Sequence, residues 1–199
     1  MPGDELLASS QFTATRAITI DAPREAVWPW LAQVGVGRGG FYSYDWLDNH
    51  GRHSSRVVLP EWQEPRVGDL AAPMVDAASE QTSFRIHIAD QPHTLVWSKA
   101  DSTWTWLLTP IDGGRRTRLV TRLRSRYDWS SPGVLVSVAL LELADFPMMR
   151  RMLLGIRQRA EAGTVPPVAD NGGQRSVGGR RDEEGPDHRD HRTGRLVPG

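Results

Sequence analysis

Two kinds of side chain in this sequence can do chemistry in a protected space. Arg85 and His87 sit two residues apart, on one face of an extended segment. Turned inward, the arginine would hold a carboxylate or phenolate and the histidine would move protons. Turned outward, they meet solvent. Tyr42 and Tyr44 lie in the run Phe41-Tyr42-Ser43-Tyr44-Asp45-Trp46, where four aromatic rings fall within six residues. A second helix burying its rings in the core explains that density. So does a cavity wall whose tyrosine hydroxyls face a ligand. His50 and His53 lie near Asp45 and Asp48 but lack the fixed spacing of a metal site, so neither metal nor cofactor is expected. No Gly-x-Ser-x-Gly nucleophile motif occurs. Gly35-Val36-Gly37-Arg38-Gly39-Gly40 follows a helix rather than opening one after a strand, which is the wrong order for a phosphate cradle.

The elements that must position these groups follow from periodicity. Thr13–Ile20 reads as a first strand. Asp21 and Pro23 start a helix whose stripe is Ala26, Val27, Trp30, Leu31 and Val34, with Pro29 expected to bend it and Gly35 and Gly37 to end it. The aromatic run Phe41–Leu47 predicts a short second helix. Five strands follow, at Asp69–Ala72, Ser83–Ala89, Thr94–Ser98, Thr103–Thr109 and Arg116–Tyr127. In the second of these, Phe84, Ile86 and Ile88 alternate against Ser83, Arg85 and His87. In the last, Thr117, Leu119, Thr121 and Leu123 oppose a row of arginines, so one face of the sheet is expected to be solvated. Asp112-Gly113-Gly114 marks a hairpin. Pro132 opens a long helix to about Ala162, lined by Leu135, Val138, Leu141, Met149, Met152, Leu153 and Ile156, with Pro147 expected to kink it near Leu143.

This order predicts an α+β fold. A curved antiparallel sheet wraps one long C-terminal helix, with two short helices after strand one. Such a sheet leaves a hollow between itself and the helix. Trp97, Trp104 and Trp106 either fill that hollow or line it, in which case they favour flat apolar ligands. Leu119 and Thr121 share the inward face. Met149 and Met152 serve as ordinary core or as a pliable ligand-facing wall. The ligand-binding set expected from these patterns is therefore Phe41, Tyr42, Tyr44, Trp46, Trp97, Trp104, Trp106, Leu119, Thr121, Met149 and Met152. Tyr42, Tyr44, Arg85 and His87 are the candidates for any proton transfer.

Composition bounds the rest. The chain has 199 residues, with 24 Lys+Arg and 24 Asp+Glu, so no global field draws it to nucleic acid or an anionic membrane. It contains no cysteine, which removes disulfides and thiol chemistry. Residues 1–12 read as an N-terminal arm without a signal peptide. Residues 13–163 read as the folded domain. Residues 164–199 lack aromatics, are rich in Gly, Pro and charge, and are expected to be disordered. No apolar run is long enough for stable membrane insertion, and a cytoplasmic protein of open oligomeric state is expected.

The segments ITIDAPREAVWPWLAQVGVGRGGFYSYDWLDN and ELADFPMMRRMLLGIRQRAE, with the order of elements, resemble the START-like helix-grip superfamily (SRPBCC), nearest its bacterial polyketide cyclase-like members. The resemblance covers about Thr13 to Ala162. It implies a helix-grip domain with an internal cavity for a small hydrophobic molecule such as a lipid or polyketide. It leaves activity open, because the superfamily includes carriers as well as cyclases and dehydratases. Three readings follow: a non-catalytic binder or carrier, a cyclase or dehydratase-type enzyme, and a protein-interaction module with a filled core.

Overall fold

The computed structural model describes residues 1–71, 83–127 and 134–163, with backbone only for 134–144. They belong to one compact unit, Met1–Pro166. The expected tail at 164–199, Ala72, Pro132 and the helix-lining side chains Leu135, Val138 and Leu141 lie outside the described structure.

Six strands form one curved antiparallel sheet in the order β1-β6-β5-β4-β3-β2. They are β1 (Phe12–Ile20), β2 (Leu70–Ala71), β3 (Phe84–Asp90), β4 (Thr94–Lys99), β5 (Ser102–Ile111) and β6 (Arg116–Ser125). Two short helices, α1 (Arg24–Ala32) and α2 (Asp45–Asp48), follow β1, and α3 (Val134–Ala162) closes the described chain. α1 packs on α3 and on the inner face of β5 and β6, while α3 also packs on β1. Both Pro29 and Pro147 lie inside helices that continue through them. Among the described residues, no helix is long and apolar enough to cross a membrane.

Register decides which side chains look inward. Trp104 pairs with Trp97 and Leu123, and Trp106 pairs with Leu95 and Thr121. Side chains two apart share a face. The inner face therefore carries Ser102, Trp104, Trp106 and Leu108 on β5, and Thr117, Leu119, Thr121, Leu123 and Ser125 on β6. Phe84 and Ile86 are buried on β3 while Arg85 and His87 are exposed. That register matches the alternation in the sequence up to a bulge between Ile86 and Ile88.

Two expectations need correction. The second helix does not begin at Phe41. Tyr42 takes a left-handed backbone (φ 57°), which interrupts helical geometry, and α2 starts only at Asp45. The reason is tertiary: the Tyr42 N–H donates to Ser54 Oγ (3.0 Å) and its hydroxyl donates to the Trp30 carbonyl (3.0 Å). Nor is the outer face of the sheet simply solvated. Residues 1–7 lie across it, with Gly3 against the buried Val96 and Thr105. Thr105 Oγ1 donates to the Pro2 carbonyl (3.0 Å), and Arg122 pairs with Asp4 (2.6 Å). Arg122 and Arg124 of β6 thus hold the N-terminal segment.

Candidate functional site

Beneath one end of the sheet lies a cavity of about 440 Å³. Four strands, α2 with the loop before it, and α3 wall it. β5 and β6 contribute Ser102, Trp104, Leu123 and Ser125, the inward side chains nearest that end. β3 and β4 contribute Phe84 and Lys99. The loop before α2 and α2 itself add Phe41, Ser43, Leu47 and Asp48, and α3 adds Asp145, Met148, Met149 and Met152. Most of this surface is apolar. The size lies in the ordinary range for sites that hold a small molecule.

The rings are fixed by their neighbours. Trp104 Nε1 donates to Thr121 Oγ1 (3.0 Å), which sets the indole's orientation. Trp104 stacks on Trp106 (centroids 4.7 Å) and lies nearly parallel to Phe41 (6.2 Å, 11° between planes). Phe41 is carried by a turn in which Gly35 and Gly40 exchange backbone hydrogen bonds (3.1 and 3.0 Å). The chain then meets α3 at Gly155. A Cβ there would sit 2.7 Å from the Tyr42 Cβ, so only glycine lets this loop lie on the helix. Ser43 Oγ adds a hydrogen bond to the Met148 carbonyl (3.2 Å).

The polar groups of the wall are few. Ser102 and Ser125 face each other across β5 and β6 (Oγ to Oγ, 3.0 Å). Lys99 is held by Asp101 (2.6 Å) with its ammonium 5.7 Å from the Phe84 ring centroid. Asp145 is buried and accepts from Arg16 Nη2 (3.1 Å). Burial pushes its carboxyl above the usual range, and Arg16 opposes that shift in part. Asp48 differs in having no cation beside it among the described residues. Both of its oxygens are sealed from solvent, with the Ser43 hydroxyl and the Tyr44 and Asp48 backbone amides beside them. Burial raises its pKa, and Asp45 adds to the shift, while Ser43 and backbone amides oppose it.

Of the residues singled out in the sequence, Phe41, Trp104, Met149 and Met152 stand at this wall. Thr121 supports it through Trp104. Trp97, Trp106 and Leu119 are fully buried in the packed core away from it. The strands of Trp106 and Leu119 run on under α1, which covers that end. Tyr42 is also buried, and burial raises its phenol above the ordinary range; Arg159 stacks on the ring at 4.4 Å. Tyr44 is half-buried beneath the Arg151 guanidinium (5.1 Å). Trp46 is 74% exposed, because α2 turns it outward. Arg85 donates to the Gly68 carbonyl (3.0 Å) on the outer surface, and His87 is exposed beside it. Asp45 acts as a loop clamp, accepting from Ser54 Oγ (2.5 Å) with His53 at 3.5 Å. The structure therefore brings none of the four proton-transfer candidates to the cavity.

Several wall residues carry a signal that alternation alone could have yielded. Ser102 and Ser125 are small inward residues two positions from Trp104 and Leu123. Small side chains at inward positions leave space. Asp48, Asp145 and Lys99 carry no such signal, since charged residues beside a turn or on a helix are usually solvated.

A second hollow of about 480 Å³ lies beside the β5–β6 turn, lined by Arg24, Glu25 and residues 110–114. It has no aromatic wall and is more open, so the Trp104 cavity is the candidate site.

No family model matches the chain, and no curated protein matches it. Solved structures do match. Protein MLL2253 from Mesorhizobium loti shares 16% identity over 77% of this chain and 100% of its own, with a TM-score of 0.44. TTHA0849 from Thermus thermophilus gives the same identity, coverage and TM-score. A Rhodobacter sphaeroides protein shares 20% identity over 77% of this chain and 95% of its own, with a TM-score of 0.46.

Proposed function

We propose that this protein is a helix-grip protein of the START-like type that binds or carries a small hydrophobic molecule beneath the open end of its sheet. One observation carries the reading: an apolar hollow of about 440 Å³ bounded by Phe41, Phe84, Trp104 and three methionines of α3. Burying a guest against aromatic and thioether surface is favourable, at roughly 25 cal/mol for each Å² removed from water. Methionine side chains adapt to guests of different outline. The sheet-around-helix architecture and the sequence resemblance support the same reading. A cyclase or dehydratase mechanism draws no support from Tyr42, Tyr44, Arg85 or His87, which all lie away from the hollow.

Two measurements test it. Small molecules that co-purify with the protein from its native host are identified by mass spectrometry. Nile red, a neutral apolar dye, is titrated into the full chain and into the Leu123→Trp variant, whose indole fills the hollow. Saturable dye binding to the parent and its loss in the variant are expected. Dye binding that is equal in both, with no organic molecule recovered, sinks the proposal.

A further inference from the structure

The polar groups on the wall of the hollow have largely spent their protons. A serine hydroxyl has one proton to give. Ser43 donates its own to the Met148 carbonyl (3.2 Å), and Ser102 donates to Asp101 Oδ1 (2.9 Å). Ser125, 3.0 Å from Ser102 Oγ, is then the donor of that pair. The Trp104 indole N–H is held by Thr121. Lys99 carries more protons, but Asp101 matches its charge at 2.6 Å and the Phe84 ring lies beside it. The acceptors differ from one another. Asp48 has both oxygens sealed from solvent and presents neither to a guest. Asp145 lines the hollow with a side chain only 4% exposed. Its Oδ2 accepts from Arg16 Nη2 (3.1 Å), while its Oδ1 accepts from no described residue and is not sealed as the Asp48 oxygens are. An open acceptor thus stands on a wall whose hydroxyl and indole donors are already used.

Granted that the hollow holds a guest as proposed above, we infer that this guest is an uncharged apolar molecule ending in a hydroxyl, and that Asp145 Oδ1 accepts the hydroxyl proton. Charge decides against the other heads. Arg16 and Asp145 form a matched pair, so a neutral donor joins them without leaving a net charge in a mostly apolar space. An ammonium would bring a positive charge toward Arg16 with no second open carboxylate to balance it. A carboxylate would face the Asp145 anion, and the Lys99 charge is already matched. An ether or ketone brings no proton, and it leaves Asp145 Oδ1 without a donor once the guest has excluded water. Position supports the same assignment. Asp145, Met149 and Met152 recur at helical spacing on one face of α3. Arg16, which holds Asp145, pairs across the sheet with Thr121, which holds the Trp104 indole. The Arg16 guanidinium also lies over the Phe146 ring (5.3 Å). The anchor is therefore braced from both sheet and helix, and the apolar body of the guest is left to Trp104 and the methionines.

Four probes with one ring system test the inference on the full-length protein: 2-naphthalenemethanol, its methyl ether, 2-(aminomethyl)naphthalene and 2-naphthoate. The ether keeps the oxygen of the alcohol and lacks its proton, and the last two carry an ammonium and a carboxylate. Isothermal titration should rank the alcohol about tenfold or more tighter than each of the others. The double variant Arg16→Met with Asp145→Leu removes both members of the pair, so neither is left buried alone. In it the alcohol should fall to the affinity of the ether, while the ether binds as it does to the parent. Folding of the variant is checked by far-UV circular dichroism, and the ranking on the parent protein stands without any variant. An ether that binds the parent as tightly as the alcohol, or tightest binding of the ammonium or the acid, would overturn the inference and leave the cavity reading standing. An advantage of the alcohol that persists undiminished in the double variant would overturn the assignment to Asp145. Failure of all four probes together with Nile red would overturn the cavity reading, and the inference with it.

Discussion

The inner face of the sheet divides at the hydrogen bond between Trp104 and Thr121. On one side, Trp106, Leu108, Thr117 and Leu119 are fully buried under α1, where Val27, Trp28 and Leu31 join the same core. On the other, Ser102, Trp104, Leu123 and Ser125 face a hollow. Two tryptophans two residues apart on one strand thus have different fates. Trp106 packs on Trp97 with centroids 4.3 Å apart, whereas Trp104 presents a surface to empty space. The covering element makes the difference. α1 lays branched and aromatic side chains flat on the sheet. The Phe41–Asp48 stretch and α3 instead bridge the opposite end, above inward serines too small to meet them.

The largest test of this division is a pair of truncations. Trp106→Ala should cost about 3–5 kcal/mol of stability, the usual range for a fully packed large aromatic. Trp104→Ala should cost less, by at least about 1 kcal/mol, because part of its surroundings is already void. Urea unfolding measures both, and equal losses would erase the distinction between the two ends. Next in size is Gly155→Ala. Its methyl would collide with the backbone and Cβ of Tyr42. A loss of about 2 kcal/mol is expected from overpacking, with weaker Nile red binding as the Phe41 loop shifts. A melting temperature unchanged from the parent would show that the loop and α3 are not tightly seated.

Asp48→Asn should act in the opposite direction, adding about 1 kcal/mol at neutral pH by removing a carboxylate that burial penalises and that has no cation beside it among the described residues. Its carboxyl is raised in the fold from the ordinary 3.8. The ionised form is therefore penalised in the folded state. Stability of the parent falls as pH rises from about the ordinary value through the raised one, then levels off. The benefit of the asparagine should accordingly vanish below about pH 4, where both states of the parent hold the proton. Denaturant curves at pH 3.5 and pH 7 measure this, and a pH-independent difference would exclude the carboxyl as its source. The smallest effect is expected from Ser102→Leu. Filling the open end should stabilise the unliganded protein by about 0.5–1 kcal/mol while abolishing dye uptake. A destabilised variant that still takes up dye would show that Ser102 does not border the binding space.

Strand positions were readable because alternation is a local property. The pattern of Phe84 and Ile86 against Arg85 and His87 already carries the register found in β3. The division of the inner face was not readable. Trp104 and Trp106 have the same type, parity and strand, and only the element laid across them separates their roles. The aromatic run misled for a related reason. Helical spacing suited Phe41–Leu47, but Tyr42 is pinned by Ser54 and Trp30, which are distant in sequence, so the helix starts late and Trp46 faces outward. Asp48 and Asp145 became notable only through their surroundings, which no single-residue property encodes. The N-terminal arm was legible as an arm but its docking was not, because its hold on the sheet depends on Asp4 meeting arginines more than a hundred residues away.

The Trp104–Thr121 hydrogen bond has a consequence for selectivity. It clamps the indole as a stiff plate on the sheet side, while the opposing surface is built from Met148, Met149 and Met152, whose unbranched chains yield at little cost. Tolerance is therefore lopsided. Bulk added to the side of a molecule that faces α3 should be absorbed, and the same bulk on the side lying against the indole should be refused.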